Sequence, residues 1–89
     1  MIWVNFCTKF LGLLAAKQTD QAKEMVHGFQ IKSSFLKVSN IIIKKTAYNN
    51  KDIFIECLID KFNFVLIFEI NKNIGKITSI QYYQNSRDL

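Results

Sequence analysis

The chain has no proline, three glycines, one histidine, one tryptophan, one arginine and two cysteines among 89 residues. Without proline there is no rigid linker and no polyproline recognition motif. Gly12, Gly28 and Gly75 stand singly, so no glycine-rich phosphate loop can be assembled. Cys7 and Cys57 match no zinc-ligand spacing, and two cysteines make no disulfide framework. No apolar run approaches the about 20 residues that a membrane helix needs. His27 stands alone, far from any cluster of Cys or carboxylates, so the sequence assigns no metal and no cofactor. Ser33, Ser34, Ser39 and Ser79 have no base beside them and read as loop or strand residues. No catalytic residue is assigned.

What is present is apolar material. Apolar residues make up 49% of the chain, with eight Phe, which is ample for one core and excludes disorder. A domain of this length buries only about 60–65% of its unfolded surface, so association would add to a thin margin. The net charge is +5, carried by lysines spread along the chain with only Lys44 and Lys45 adjacent. Nucleic-acid surfaces cluster positive charge and favour Arg. The lysines therefore read as a solvated surface. A nucleic-acid role would require them to converge around Trp3 or an exposed Tyr.

The C-terminal half carries the sharpest signal. Ile53, Ile55, Cys57 and Ile59 alternate with Phe54, Glu56 and Leu58, and Phe62 to Ile70 alternates in the same way. A two-residue turn at Asp60-Lys61 pairs Ile59 with Phe62, Cys57 with Phe64, Ile55 with Leu66 and Ile53 with Phe68. A slip by one residue would mix the faces, so the register is specified. A loop at Asn49-Asn50-Lys51 pairs Ile41 with Ile59, Ile43 with Cys57 and Lys44 with Glu56. A turn over residues 71–75, with Gly75 at positive φ, leads into a last strand with Thr78, Ile80 and Tyr82 on the main face. The expected sheet is a four-stranded antiparallel meander over about 41–48, 52–59, 62–70 and 76–84. Phe64 is expected at the centre of its core. Lys45 is the one ionisable side chain expected on the main face, Asp52 belongs to a turn, and Glu56 and Glu69 fall on the second face.

That second face is not simply polar. It carries Ile42, Phe54, Leu58, Val65, Ile67 and Tyr83, interrupted by Lys44, Glu56, Asn63 and Gln81. One set of helices covers one face of a sheet, and an antiparallel sheet usually wets the other. An apolar patch left there points to a partner. The expectation is a homodimer contact through Phe54, Leu58, Val65, Ile67 and Tyr83.

Residues 2–16 place Trp3, Phe6, Cys7, Phe10, Leu13 and Leu14 on one side of a helix. Leu14-Ala15-Ala16 loosely resembles a signal-peptidase site. Yet Lys9 abuts an apolar run of only seven residues with no basic stretch before it, so a helix and a cytoplasmic location are expected, with secretion as the alternative. Thr19 or Asp20 caps a second helix over about 20–27, with Ala22, Met25 and Val26 inward, His27 at its end and Gly28 as its stop. Residues 29–40 read as a short strand or an irregular segment. The two cysteines fall on core faces. Free thiols are expected, with a Cys7–Cys57 disulfide as the alternative.

The order helix, short helix, meander, together with two local stretches, resembles the nuclear transport factor 2-like (cystatin-like cone) superfamily. Phe10-Leu11-Gly12-Leu13-Leu14-Ala15-Ala16-Lys17-Gln18-Thr19-Asp20-Gln21-Ala22 resembles that group's first helix and turn. Phe68-Glu69-Ile70-Asn71-Lys72-Asn73-Ile74-Gly75-Lys76-Ile77-Thr78-Ser79-Ile80 is similar to its last hairpin. The resemblance implies a short α+β member of a superfamily that includes isomerases, dehydratases, carriers and non-catalytic proteins. It implies a cone interior, where Phe10 and Tyr82 would meet a small apolar ligand and the Tyr82 hydroxyl can donate to a carbonyl. With no acid–base pair expected inside the cone, the reading is a non-catalytic binding or interaction domain. The alternatives are a small cone-fold enzyme or carrier, and a nucleic-acid binder.

Overall fold

The computed structural model describes residues 2–84. Helix α1 spans Ile2–Ala15 and buries Val4, Cys7, Phe10, Leu11 and Leu14. Trp3, Phe6 and Leu13, expected on this face, are partly buried and pack against the core. The apolar arc of the helix is wide, with only Asn5, Thr8, Lys9 and Gly12 opposite it, so the pattern tolerates the rotation that brings Val4 and Leu11 inward. Lys17 ends it with φ 64°. The Gln18 N–H donates to Leu13 O at 2.8 Å and the Lys17 N–H to Leu14 O at 3.1 Å. This is a Schellman ending built on a lysine rather than a glycine.

Helix α2 is Thr19–Lys23, shorter than expected, and Gln18 rather than Thr19 or Asp20 occupies its N-cap position with no side-chain cap bond. The chain leaves the helix because residues 25–27 find a better partner. Ile77 N–H donates to Met25 O at 2.8 Å, and His27 N–H donates to Ile77 O at 2.9 Å. Val26 thereby forms a parallel bridge with Ile77. His27 is exposed and stands beyond the helix, not at its dipole end. Within residues 29–40 the structure has a one-turn helix, α3 (Ser33–Leu36), whose Phe35 is buried.

The sheet runs in the order β1 (Ile41–Tyr48), β2 (Asp52–Ile59), β3 (Phe62–Asn71), β4 (Lys76–Gln84), all antiparallel. The fold is α+β. The β2–β3 register is the one that alternation dictates: Ile59 with Phe62, Cys57 with Phe64, Ile55 with Leu66, Ile53 with Phe68. Asp60 and Lys61 form the connecting turn with φ 49° and 80°, a backbone that hairpin turns favour and L-residues resist. Asp60 is held in place. Its carboxylate accepts from the backbone N–H of Ser39 (3.2 Å) and Asn40 (2.9 Å), and its own N–H donates to Asn40 O at 2.9 Å.

Two bulges depart from strict alternation. In β1, Ile43 pairs with Cys57 but Lys45 pairs with Glu56, so Lys44 is the extra residue. Lys45 therefore stands on the second face, not the main one, and Thr46, Ala47 and Tyr48 pair one residue away from the expected register. In β3–β4, Glu69 pairs with Ser79 and Ile70 with Ile77, leaving Thr78 as the extra residue. Its hydroxyl donates to Glu69 O at 3.3 Å. Ile77, 0% exposed, takes the core position expected for Thr78. The last turn is as expected, with Gly75 at φ 66° and Asn71 Oδ1 accepting from the N–H groups of Asn73 and Ile74.

The core lies between the helices and the main face of the sheet. It holds Cys7, Phe10, Leu11, Leu14, Ile55, Cys57, Leu66, Phe68 and Ile77, all fully buried. Phe10 meets Phe68 edge-on at 6.0 Å between ring centroids. Phe68, not Phe64, is the central ring. Phe64 is partly buried and sits beside Tyr82, which is itself 37% exposed.

Candidate functional site

The most developed surface is the second face of the sheet. In register, Phe54 stands beside Ile67, Glu56 beside Val65, and Leu58 beside Asn63 on β2–β3. β4 adds Tyr83 next to Val65 and Gln81 next to Ile67, and β1 adds Ile42 next to Leu58. Phe54, Leu58, Val65 and Ile67 are half-buried by their neighbours alone, while Ile42 is 51% and Tyr83 56% exposed. The result is a contiguous apolar diagonal from Phe54 through Ile67 and Val65 to Tyr83.

Charge is placed around this diagonal with a definite sense. Asp52, expected in a turn, is the first residue of β2 and lies opposite Glu69. These two carboxylates form one end of the face. They border, with Lys51, Ser79, Phe54 and Ile67, an open depression of about 290 Å³. On the other side of the diagonal, at the β1 margin, the bulge sets Lys44 and Lys45 opposite Glu56. Lys44 Nζ lies 3.7 Å from Glu56 Oε2 and donates to Asn63 Oδ1 at 3.2 Å. The ion pair and the bulge together hold the lysine end of Lys44 over the second face.

The interior offers a different picture. Phe10 is 1% exposed and packed as core. Tyr82 packs its ring on Phe35 at 5.2 Å and on Phe64 at 6.3 Å. The Lys32 ammonium donates to the Tyr82 hydroxyl at 3.0 Å and lies 4.8 Å from its ring centroid. Tyr82 borders, with Phe29, Ile31, Phe35 and Ile80, a cavity of about 70 Å³, room for a water or two rather than a ligand. The structure therefore does not bring Phe10 and Tyr82 to one pocket. Among the described residues no polar or charged residue is buried.

Cys7 and Cys57 are free and fully buried. Burial pushes the Cys7 thiol up to about 12. Burial, with a smaller contribution from the Glu56 charge, pushes Cys57 up to about 11. Both are neutral core groups with little thiolate character. Among the described residues no group of His, Cys, Asp and Glu could hold a metal ion, and no helix is long and apolar enough to cross a membrane.

Sequence reasoning placed Phe54, Leu58, Val65, Ile67 and Tyr83 on this face and started β2 at Asp52, but missed the placement of Lys45. The signal for Lys45 was the run Ile41-Ile42-Ile43-Lys44-Lys45, whose spacing a bulge alone reconciles with an apolar inner face. Comparison with known proteins returns no matching family model, no matching curated protein and no matching solved structure.

Proposed function

We propose that this chain is a non-catalytic interaction domain that self-associates through the second face of its sheet. One observation carries the reading: Phe54, Ile67, Val65 and Tyr83 form a contiguous apolar strip, with Leu58 and Ile42 beyond Glu56, on a face that no helix covers. A sandwich of two such faces is a common way to bury apolar sheet surface. Kinship with the nuclear transport factor 2-like superfamily stands as part of the same proposal, supported by the order helix, short helix, meander. A dimeric, cytoplasmic protein without enzymatic activity is the corresponding biochemical picture.

The test is native mass spectrometry together with sedimentation of the wild type and Val65→Lys. Val65 is half-buried, so its lysine variant is expected to fold. Dimers in the wild type and monomers in Val65→Lys are expected. A dimer that survives Val65→Lys overturns the second face as the contact. A small molecule released only on denaturation would instead favour a carrier.

A further inference from the structure

We infer that the second face is self-complementary in charge, so that its partner is a second copy of this chain, crossed so that Lys45 of each copy seats at the Asp52–Glu69 end of the other. The inference rests on the self-association proposed above and specifies its geometry.

Two faces related by a two-fold axis in the plane of contact exchange whatever lies on opposite sides of that axis. Here the apolar diagonal runs from Phe54, between Ile67 and Val65, to Tyr83. The acidic end, Asp52 opposite Glu69, lies on one side of that line. The Lys44–Lys45 bulge lies on the other. An axis along the diagonal therefore brings the apolar residues against their own copies and carries each lysine margin over the other copy's acidic end. The open depression of about 290 Å³ bordered by Asp52, Glu69 and Phe54 has the room for a lysine side chain, with an apolar wall for its stem. The local charge there is two carboxylates against Lys51.

The sheet edge at β1 is unsuited to pairing with a second copy. β1 is an edge strand and is exposed almost throughout. Its bulge interrupts the ladder in the middle, and antiparallel pairing of two β1 edges about that midpoint would set Lys44 and Lys45 against their own copies. The bulge that spoils the edge is the same one that turns Lys45 onto the face.

The experiment is sedimentation equilibrium at low salt on four full-length proteins: wild type, Lys45→Glu, Glu69→Lys and the double variant, with Val65→Lys as a reference. Both charged positions are at the surface, and circular dichroism confirms folding. Each single reversal acts twice in a symmetric dimer and is expected to raise the dissociation constant by about tenfold. The double variant is expected to return to within about threefold of wild type. Losses that simply add in the double variant, in a dimer that Val65→Lys dissociates, overturn the crossed arrangement but leave self-association standing. A wild type that is monomeric at every concentration overturns both.

Discussion

The two faces of one sheet differ more than their sequences do. Main-face positions of β2 and β3 carry Ile53, Ile55, Cys57, Ile59, Leu66, Phe68 and Ile70, all buried, and only toward the Asp60 turn does this face open, with Phe64 partly buried and Phe62 exposed. Second-face positions carry Phe54, Leu58, Val65 and Ile67, of similar size and polarity, yet none is fully buried. Alternation puts residues on two sides without saying which side is covered. Coverage is decided by the helices, and α1, α2 and α3 supply enough apolar surface for one side only. The uncovered side also carries charge, which is absent from the core among the described residues: Asp52 and Glu69 at one end, Lys44 and Lys45 beside Glu56 at the other.

Adjacent residues on opposite faces test this contrast most strongly. Phe68→Ala removes the central ring and is expected to cost about 3–5 kcal/mol, enough to unfold much of a domain this small. Ile67→Ala, one residue away, should cost about 1 kcal/mol in dilute solution, where the face is wet. Urea unfolding at micromolar concentration measures both. Equal costs would mean the second face is already covered within the monomer.

The thiols sharpen the contrast from the core side. With the Cys57 thiol raised to about 11, its thiolate at pH 8 should be about a hundredfold scarcer than that of an ordinary cysteine, and native alkylation correspondingly slow. The folded state favours the neutral thiols of Cys7 and Cys57, so their contribution is complete below pH 9 and is lost as pH rises from 9 toward 12. Chemical denaturation across that range should show stability falling. Rapid native labelling at pH 8 would show that the main face opens readily.

The smallest effect concerns the turn that joins the two central strands. Lys61 sits at φ 80°, and Lys61→Gly is expected to stabilise the domain by about 1 kcal/mol without touching either face. Asp60→Gly at the neighbouring position, φ 49°, should not gain, because it loses the acceptor for the Ser39 and Asn40 N–H groups. A thermal shift for each variant separates the two.

The β2–β3 pairing was legible residue by residue, since a two-residue turn between two alternating runs leaves one register that keeps the faces clean. The bulges were not read, although each left a trace. Ile77 and Ile80 are three apart and both pair with main-face residues of β3, which strict alternation forbids and the extra Thr78 allows. The end of α2 was misjudged because the pattern through Met25 and Val26 is helical, while the hydrogen bonds of Met25 and His27 go to Ile77, a partner that local pattern cannot show. The expected interior site failed for a packing reason. Phe10 is sealed against Phe68, and Tyr82 is engaged by Phe35 and Lys32 at the rim.

The bridge between Val26 and Ile77 has a consequence for biosynthesis. Every strand pair here is a hairpin of sequence neighbours, able to form as soon as its two strands are made. The bridge instead joins Val26 to Ile77 and waits for β4. The join between the segment after α2 and the sheet is thus the last of these pairings to form.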